Sequence, residues 1–443
     1  MRHSVRWAGL LLIGVLAACS KDKAVDQPAK LTPLTATLKV QRIWNRTVAD
    51  KHAVVLRLGL GVTLADNNHV YAAGHKGDVV QGDVTTGRIL WHVRIKAPLS
   101  GGVGAYGDLV VVGSSDGRLF ALNASDGKPR WNVRLNGEVL SAPAVTQRLV
   151  AVRTEDGKLR GLSPVDGHEL WVQEQQVPRL SLRGTSSPVI AGDLVLCGFD
   201  NGKVMAVNAN DGSVQWEATV TPPHGRTELE RLADIDGNVL VSGQNVYAVG
   251  FQGRVAMLAL DTGQVWWSRE ASSYRGLALG DDVLYVASSE GEIGAFNART
   301  GAEIWRQSAL LHRGLTAPAV MGDAIVTADY QGYVHWLDRA SGALIARVRS
   351  GKVRVSTTPL VVGDIVVVIT DRGEITGYRV TPLKGAPARK TAAGTPPATP
   401  AKTPPAAPAE TAPAAPAETA PATSAETPPA TPAETPAKPE QSR

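Results

Sequence analysis

An all-β fold, an eight-bladed β-propeller with four-stranded antiparallel blades, is the fold class that this sequence predicts, on three observations. A pattern of short apolar strands and tight turns recurs about every 40 residues between residues 39 and 380, as propeller blades do. Most copies carry a tryptophan four residues after a glycine. The last copy lacks its final strand, and a matching strand precedes the first copy.

The clearest copy of the repeat spans residues 106–131. It contains an apolar strand, the turn Asp116-Gly117, a second strand, the turn Asp126-Gly127 and a strand that carries a tryptophan. Asp-Gly between two apolar runs is a strong hairpin signal, because glycine adopts the positive φ that tight hairpin turns require. This copy therefore predicts antiparallel strands that follow one another and are joined by short turns.

The glycine and tryptophan markers place the copies along the chain, at successive separations of 40, 40, 45, 51, 38 and 41 residues. Because one small sheet cannot bury both of its faces, we expect the tryptophans to fill the gaps between neighbouring blades. In the seventh copy alanine replaces the tryptophan. The markers are Gly87 with Trp91, Gly127 with Trp131, Gly167 with Trp171, Gly212 with Trp216, Gly263 with Trp267, Gly301 with Trp305, and Gly342 with Ala346.

The eighth copy is divided between the two ends of the repeat region. Residues 359–378 supply three strands and then stop, whereas residues 40–44 form a lone final strand that carries Trp44. Pairing these segments would close the ring and remove the two exposed edges of an open one. The sequence therefore predicts a propeller over residues 39–380, with seven complete blades and one shared between the ends.

The start of the chain predicts a lipoprotein. Basic residues precede an apolar run too short to cross a bilayer core of about 30 Å, which is typical of a secretory signal peptide. The small residues before Cys19 resemble the bacterial lipoprotein signal, in which the cysteine is lipidated and becomes the N-terminus. We expect a signal peptide over residues 1–18, lipidation of Cys19 and a linker over residues 19–38. The same resemblance to bacterial lipoproteins implies that Ser20, in place of aspartate, favours anchoring in the outer membrane, on its periplasmic face.

The end of the chain differs in composition from the repeats. Residues 381–443 are dominated by proline, alanine, threonine and glutamate and contain almost no large apolar side chains. Such a segment cannot bury enough surface to offset the loss of chain entropy on folding. The sequence predicts a disordered tail, which is a spacer, a low-affinity contact with the cell wall or a functionally silent solubilising extension.

Charge and cysteine content exclude some classes of function. The formal net charge is +5 over 443 residues and no basic run is present, so we do not expect nucleic-acid binding. Cys197 is the only cysteine besides Cys19, so acylation of Cys19 would leave no disulfide, and an apolar stretch predicts a buried structural thiol at Cys197.

Two sequence patterns resemble catalytic or cofactor-binding motifs but lack the secondary structure that those motifs require. Residues 102–107 fit the dinucleotide pattern G-x-G-x-x-G, but a strand follows where a helix is required. Residues 113–117 fit G-x-S-x-G, but within a predicted hairpin rather than a strand–turn–helix. The nine histidines are scattered, without the close pairing of a zinc site. We therefore expect no enzyme activity, no metal and no cofactor.

The copies resemble the tryptophan-docking repeats of pyrroloquinoline-quinone (PQQ) dehydrogenases, as in residues 121–131 and 259–267. Those enzymes carry adjacent cysteines and calcium ligands, which are not recognisable here, and they are longer. The sequence more closely resembles the BamB family of outer-membrane-protein assembly lipoproteins, over roughly residues 1–380. The shared features are the lipoprotein signal, eight such repeats, the total size and three inter-blade segments, residues 178–184, 226–236 and 310–318.

The resemblance implies a protein-binding site on two of these segments. In the BamB family, the loops matching residues 178–184 and 226–236 contact the BamA β-barrel insertase, at positions that match Leu180, Leu182, Arg183, Asp234 and Asp236. Both loops leave the last strand of a blade, so they would be neighbours on one face of the propeller. Other interpretations exist, because Leu180 and Leu182 could begin a buried strand and Asp236-Gly237 could be a hairpin turn. Arg183 has the weakest structural explanation, since an inner strand has little room for an unpaired guanidinium.

The resemblance therefore implies a non-catalytic scaffold lipoprotein of the outer-membrane β-barrel assembly complex. It would bind the periplasmic domains of BamA and support insertion of β-barrel proteins, with unfolded outer-membrane proteins as further clients. One alternative is a periplasmic propeller related to quinone (PQQ)-dependent dehydrogenases, because a fold does not fix a function. A third is a structural lipoprotein with an unrelated partner.

Overall fold

The computed structural model describes residues 26–48, 62–64 and 69–383. Strands in these ranges form eight four-stranded antiparallel sheets, and no helix among them has the length and apolar character of a membrane crossing. Seven sheets contain four consecutive strands, and the eighth joins the last three strands to the first one. The predicted signal peptide and Cys19 lie outside the described residues, as does the predicted tail from residue 384.

Blades are numbered 1 to 8 along the chain, and the lone first strand belongs to blade 8. The strands of blade 8's edge and of blades 1 to 4 are β1 (Leu38–Thr47), β2 (Val62–Leu64), β3 (His69–Ala73), β4 (Asp78–Asp83), β5 (Ile89–Arg94), β6 (Leu99–Tyr106), β7 (Leu109–Ser114), β8 (Arg118–Asn123), β9 (Pro129–Arg134), β10 (Ala144–Val145), β11 (Val150–Arg153), β12 (Lys158–Leu162), β13 (Glu169–Glu174), β14 (Val189–Ala191), β15 (Leu194–Gly198), β16 (Lys203–Asn208) and β17 (Val214–Thr219). Those of blades 5 to 8 are β18 (Leu240–Ser242), β19 (Asn245–Val249), β20 (Arg254–Ala259), β21 (Val265–Glu270), β22 (Leu277–Gly280), β23 (Val283–Ala287), β24 (Ile293–Asn297), β25 (Glu303–Gln307), β26 (Ala319–Met321), β27 (Ala324–Ala328), β28 (Tyr333–Asp338), β29 (Leu344–Arg349), β30 (Leu360–Val362), β31 (Ile365–Ile369) and β32 (Glu374–Pro382).

The blades are arranged in a closed ring, which confirms the predicted eight-bladed propeller. The first strands of successive blades contact one another all the way round, including β30 of blade 8 with β2 of blade 1. Strand β1 pairs along its length with β32, from Leu38 opposite Pro382 to Thr47 opposite Glu374. An apolar cluster lies at each of the eight joints between neighbouring blades, so burial between blades stabilises the ring.

At seven joints, a tryptophan of one blade docks on the next blade. Its indole N–H donates to a backbone carbonyl of that blade, as Trp305 does to Arg339 at 2.9 Å. The marker glycine of the next blade lies against the ring, and a Cβ atom at Gly342 would come within 2.5 Å of Trp305. Gly342 also has a φ of +71°, so this position requires glycine for two reasons. The other docking residues are Trp44, Trp91, Trp131, Trp171, Trp216 and Trp267.

The joint between blades 7 and 8 explains the alanine in the seventh copy. A docking tryptophan rests on the turn between the third and fourth strands of the next blade. Blade 8 takes those strands from opposite ends of the chain, so it has no such turn for a tryptophan at Ala346 to meet. Instead Trp336, on the neighbouring strand β28, fills the joint and contacts the Tyr378 ring edge-on, with the ring centroids 6.5 Å apart.

The segments that join the fourth strand of one blade to the first strand of the next lie on one side of the ring, here called the loop face. The turns between second and third strands lie on the same side, as shown by the hydrogen bond from the Ile235 N–H to the Phe199 carbonyl. The turns between third and fourth strands lie on the opposite face. The loop face carries both predicted binding loops, residues 178–184 and 226–236.

Candidate protein-binding site on the loop face

The structure brings the two predicted loops into direct contact. The backbone N–H of Leu182 donates a hydrogen bond to Oδ2 of Asp234. Gly184 lies so close to Asp236 that a Cβ atom there would come within 2.9 Å of Oδ2. Just beyond the loops, the Ser187 N–H donates to Oδ1 of Asn238 at 2.9 Å. The two segments therefore form one continuous surface, here called the loop patch.

The outer part of the 226–236 loop is held in a fixed shape by its own side chains. The backbone N–H groups of Arg226 and Thr227 donate to Oε2 of Glu230, at 2.7 and 3.0 Å, and the Glu230 N–H donates to the Thr227 hydroxyl at 3.2 Å. This reciprocal pattern is a capping box, which satisfies donors that a single helical turn leaves free. It presents Leu229 to solvent, with 64% of its surface exposed.

Two further side chains form the exposed part of the patch. Leu180 is 43% exposed, which is high for a large apolar residue. Arg183 projects from the same loop, and its Nη2 lies 2.7 Å from Oε2 of Glu138 in the connection between blades 2 and 3. Leu182 is half-buried. The patch therefore presents two apolar tips, Leu180 and Leu229, and a half-exposed ion pair, an arrangement suited to a protein partner.

Beneath these tips lies a buried polar floor. Asp234 is fully buried, and its other oxygen, Oδ1, has no hydrogen-bond partner among the described residues. The neighbouring blades supply a buried ion pair, Arg153 Nη2 to Asp200 Oδ1 at 3.0 Å, with both side chains less than 5% exposed. Arg153 also donates to the Gly198 carbonyl at 2.7 Å and lies over the Phe199 ring, 4.2 Å from its centre. The floor thus connects blades 3, 4 and 5 below the two loops.

Burial makes the carboxyl groups of the floor hard to ionise. It raises the pKa of Asp234 to about 7, assisted by the negative charge of Asp200 and opposed by the hydrogen bond from the Leu182 N–H. Burial, with the charges of Asp234 and Asp200, also raises the pKa of Asp236 well above its usual range. Burial raises the pKa of Asp200 as well, although Arg153 opposes this shift.

The structure divides the five predicted site residues into two groups. Leu180 and Arg183 are exposed, whereas Asp234 and Asp236 are turned inward, with Leu182 between the two groups. The alternative interpretations of the loops do not hold. The first strand of blade 4 begins only at Val189, after the 178–184 loop, and Asp236-Gly237 lies in an irregular connection and not in a hairpin.

Two residues of the patch, Leu229 and Glu138, were not among the predicted ones. The Thr227-x-x-Glu230 spacing is a sequence signal that could have pointed to Leu229, because it marks a rigid turn beneath an apolar residue. No comparable signal marks Glu138, because its contact with Arg183 depends on the packing of neighbouring blades.

Potential metal ligands and one thiol occur in the described part of the chain. No group of three or more His, Cys, Asp or Glu side chains there is arranged to hold a metal ion. Cys197 is fully buried, as predicted, and burial raises the pKa of its thiol to about 11. A buried thiol with a raised pKa is poorly nucleophilic.

Sequence comparison places the chain among assembly factors. The sequence model of a family described as "Outer membrane protein assembly factor BamB" matches residues 75–307 and 289–406. A relative of that name from Pseudomonas aeruginosa is 45% identical over 329 residues, which cover 74% of this chain and 86% of the relative.

Structural comparison agrees with the sequence comparison. The crystal structure of BamB from Moraxella catarrhalis matches with a TM-score of 0.70 and 28% identity, over 77% of this chain and 100% of that one. A quinohemoprotein alcohol dehydrogenase from Comamonas testosteroni matches with a TM-score of 0.62 but 12% identity, over 77% of this chain and 76% of that one. The second likeness shows a shared fold alone.

Proposed function

The chain belongs to the family of the outer membrane protein assembly factor BamB, and from that premise we propose that it binds the BamA insertase through the loop patch. It is a non-catalytic propeller subunit of the outer-membrane β-barrel assembly machinery, at the periplasmic face of that membrane. In the proposed role it holds the periplasmic domains of BamA in position and supports the insertion of β-barrel proteins. A lipid on Cys19 keeps it at the membrane.

One observation carries the proposal, the joining of the two loops into a single surface by the Leu182–Asp234 hydrogen bond. Loops on a rigid scaffold are the usual sites of recognition, and here the scaffold is a closed ring. The exposed tips offer apolar area, and Arg183 offers a guanidinium, a group that is enriched among the residues contributing most energy at protein interfaces. Leu180, Arg183 and Leu229 touch the partner in this proposal, while Leu182, Asp234 and Asp236 hold the two loops together.

The test is capture of BamA from detergent-solubilised membranes by the tagged protein carrying Arg183→Glu. Reversing the charge places a second carboxylate beside Glu138 and opposes the same partner surface, so capture should fall by at least about tenfold. Arg148→Glu is the matched control, because Arg148 is also an exposed, ion-paired arginine but lies outside the loop patch. If the Arg183→Glu variant captured a normal amount of BamA and had a normal melting temperature, the proposed interface would be wrong.

The lipid anchor has a separate test. Mass spectrometry of the N-terminal peptide from membrane-extracted protein should show a triacylated Cys19 as the first residue. An unmodified Cys19 inside a longer chain would remove the anchor from the proposal and leave the loop patch unaffected.

A further inference from the structure

Residues 28–37 cross the outside of blade 7 in an extended, irregular path, here called the strap. At one end the Ala29 N–H donates to the Leu311 carbonyl at 2.9 Å, and at the other the Thr37 N–H donates to the Ile345 carbonyl at 3.0 Å. Between them Leu31 packs against the apolar cluster at the joint of blades 6 and 7. The strap is therefore docked along the propeller rim by both polar and apolar contacts.

Arg313 holds the end of the strap that is nearer the N-terminus. Its side chain is almost fully buried and donates to Asp329 Oδ2 at 2.7 Å, to Gln331 Oε1 at 2.7 Å and to the Ala29 carbonyl at 2.9 Å. Burial of a guanidinium is costly unless its donors are paired, so the strap carbonyl completes a set that the propeller provides. Arg313 lies in residues 310–318, the third family-like segment, to which the loop patch gives no role.

The strap changes the face from which the N-terminal part of the chain departs. Strand β1 begins at Leu38, opposite Pro382, and ends at Thr47, opposite Glu374. Glu374 follows the turn between the second and third strands of blade 8, which lies on the loop face, so Leu38 lies at the opposite face. Ala29, by contrast, is bonded to Leu311 in the connection between blades 6 and 7, on the loop face.

We propose that the strap delivers the membrane anchor to the loop face and so turns the loop patch towards the membrane. This rests on the proposed lipidation of Cys19. Whatever the arrangement of residues 19–29, this segment spans at most about 35 Å, because an extended chain advances about 3.5 Å per residue. Without docking, the tether would run from Cys19 to Leu38, reach about 65 Å and leave from the opposite face.

The experiment attaches the lipid chemically, so that it does not depend on natural acylation. The mature chain, residues 19–443, is coupled through the Cys19 thiol to a maleimide phospholipid. Cys197 is buried, and its thiol pKa is raised to about 11, so it should not react. A clickable amino acid replaces either Lys352, exposed on the loop face of blade 7, or Ala340, exposed on its opposite face, and carries a fluorescent donor. The vesicles contain an acceptor-labelled headgroup lipid.

Energy transfer should be at least about twofold more efficient from position 352 than from position 340, because the docked tether holds the loop face near the membrane. Replacing residues 28–36 by a Gly-Ser segment of equal length should abolish this difference, and so should Leu31→Asp, while Thr32→Asp should keep it because Thr32 is exposed. Melting curves verify that each ring is intact. Equal transfer in the unaltered chain, or an unchanged difference in the Gly-Ser variant, would overturn the proposal. Neither result depends on BamA or on natural acylation, so failure here is distinct from failure of the proposed function.

Discussion

The exposed tips of the loop patch and the buried floor beneath them differ in what a substitution would do to the stability of the protein. Leu180 and Leu229 contact solvent, so their replacement should leave the free protein almost unchanged. Arg153, Asp200 and Asp234 are surrounded by protein, where an ion or a dipole that loses its partner keeps its full desolvation cost. If a tip substitution weakens binding, the cause is therefore a lost contact with the partner. If a floor substitution weakens binding, the first cause to consider is a change in the shape of the loops.

The largest effect is expected at the centre of the floor. Arg153→Ala removes the partner of the buried Asp200 carboxylate, so the free energy of unfolding should fall by about 3–5 kcal/mol. Arg148→Ala breaks a similar pair with Asp193 in which both side chains are about 70% exposed, and it should cost about 0–1 kcal/mol. Urea unfolding of both variants gives the comparison. Equal costs would mean that the floor is no more important to stability than the surface.

The next effect concerns pH. Because the pKa of Asp234 is raised to about 7 in the folded protein, the folded state binds more protons than the unfolded state between about pH 4 and pH 7, and stability falls as pH rises through that window. Asp234→Asn cannot ionise and keeps an acceptor for the Leu182 N–H. The free energy of unfolding of this variant, relative to that of the unaltered protein, should therefore increase by on the order of 2 kcal/mol from pH 5 to pH 8. A difference in stability that stayed constant from pH 5 to pH 8 would contradict the shifted pKa.

A tip substitution should separate binding from stability. Leu229→Asp places a charge on the exposed loop tip and should weaken BamA binding by about 1–2 kcal/mol, roughly tenfold in Kd, with an unchanged melting temperature. Val165→Asp is the control, since Val165 is 83% exposed on the opposite face. Surface plasmon resonance with the BamA periplasmic domains measures both. If both substitutions weakened BamA binding equally, Leu229 would not be part of the contact with BamA.

The smallest effect is expected at the half-exposed ion pair of the loop patch, Arg183 with Glu138. Glu138→Gln removes the charge that faces Arg183 and should change the free energy of unfolding by less than about 1 kcal/mol, because solvent screens the pair. Urea unfolding measures this change as well. A loss of stability comparable to that of Arg153→Ala would mean that this pair contributes to stability as much as the buried floor does.

The fold was predictable because its signals are local and repeated. A docking glycine such as Gly342 requires both a positive φ and space for a ring, and this double requirement marks seven of the eight copies in the sequence. The location of the candidate site was predictable at the level of loops, from resemblance and from the topology of a propeller. The roles of its residues were not, because Asp234 and Leu229 are five positions apart and lie at opposite extremes of burial.

The number of blades, the strand order and the shared eighth blade could all be predicted from the sequence. These follow from periodicity and from the need to close sheet edges, which are properties of neighbouring residues and of the repeat count. Three other features become visible only in the folded ring: which loop side chains face inward, why Ala346 replaces a tryptophan, and the return of the strap from Leu38 to the loop face. Each of these depends on contacts between residues far apart in the chain, such as Ala29 with Arg313, which form only when the ring has closed.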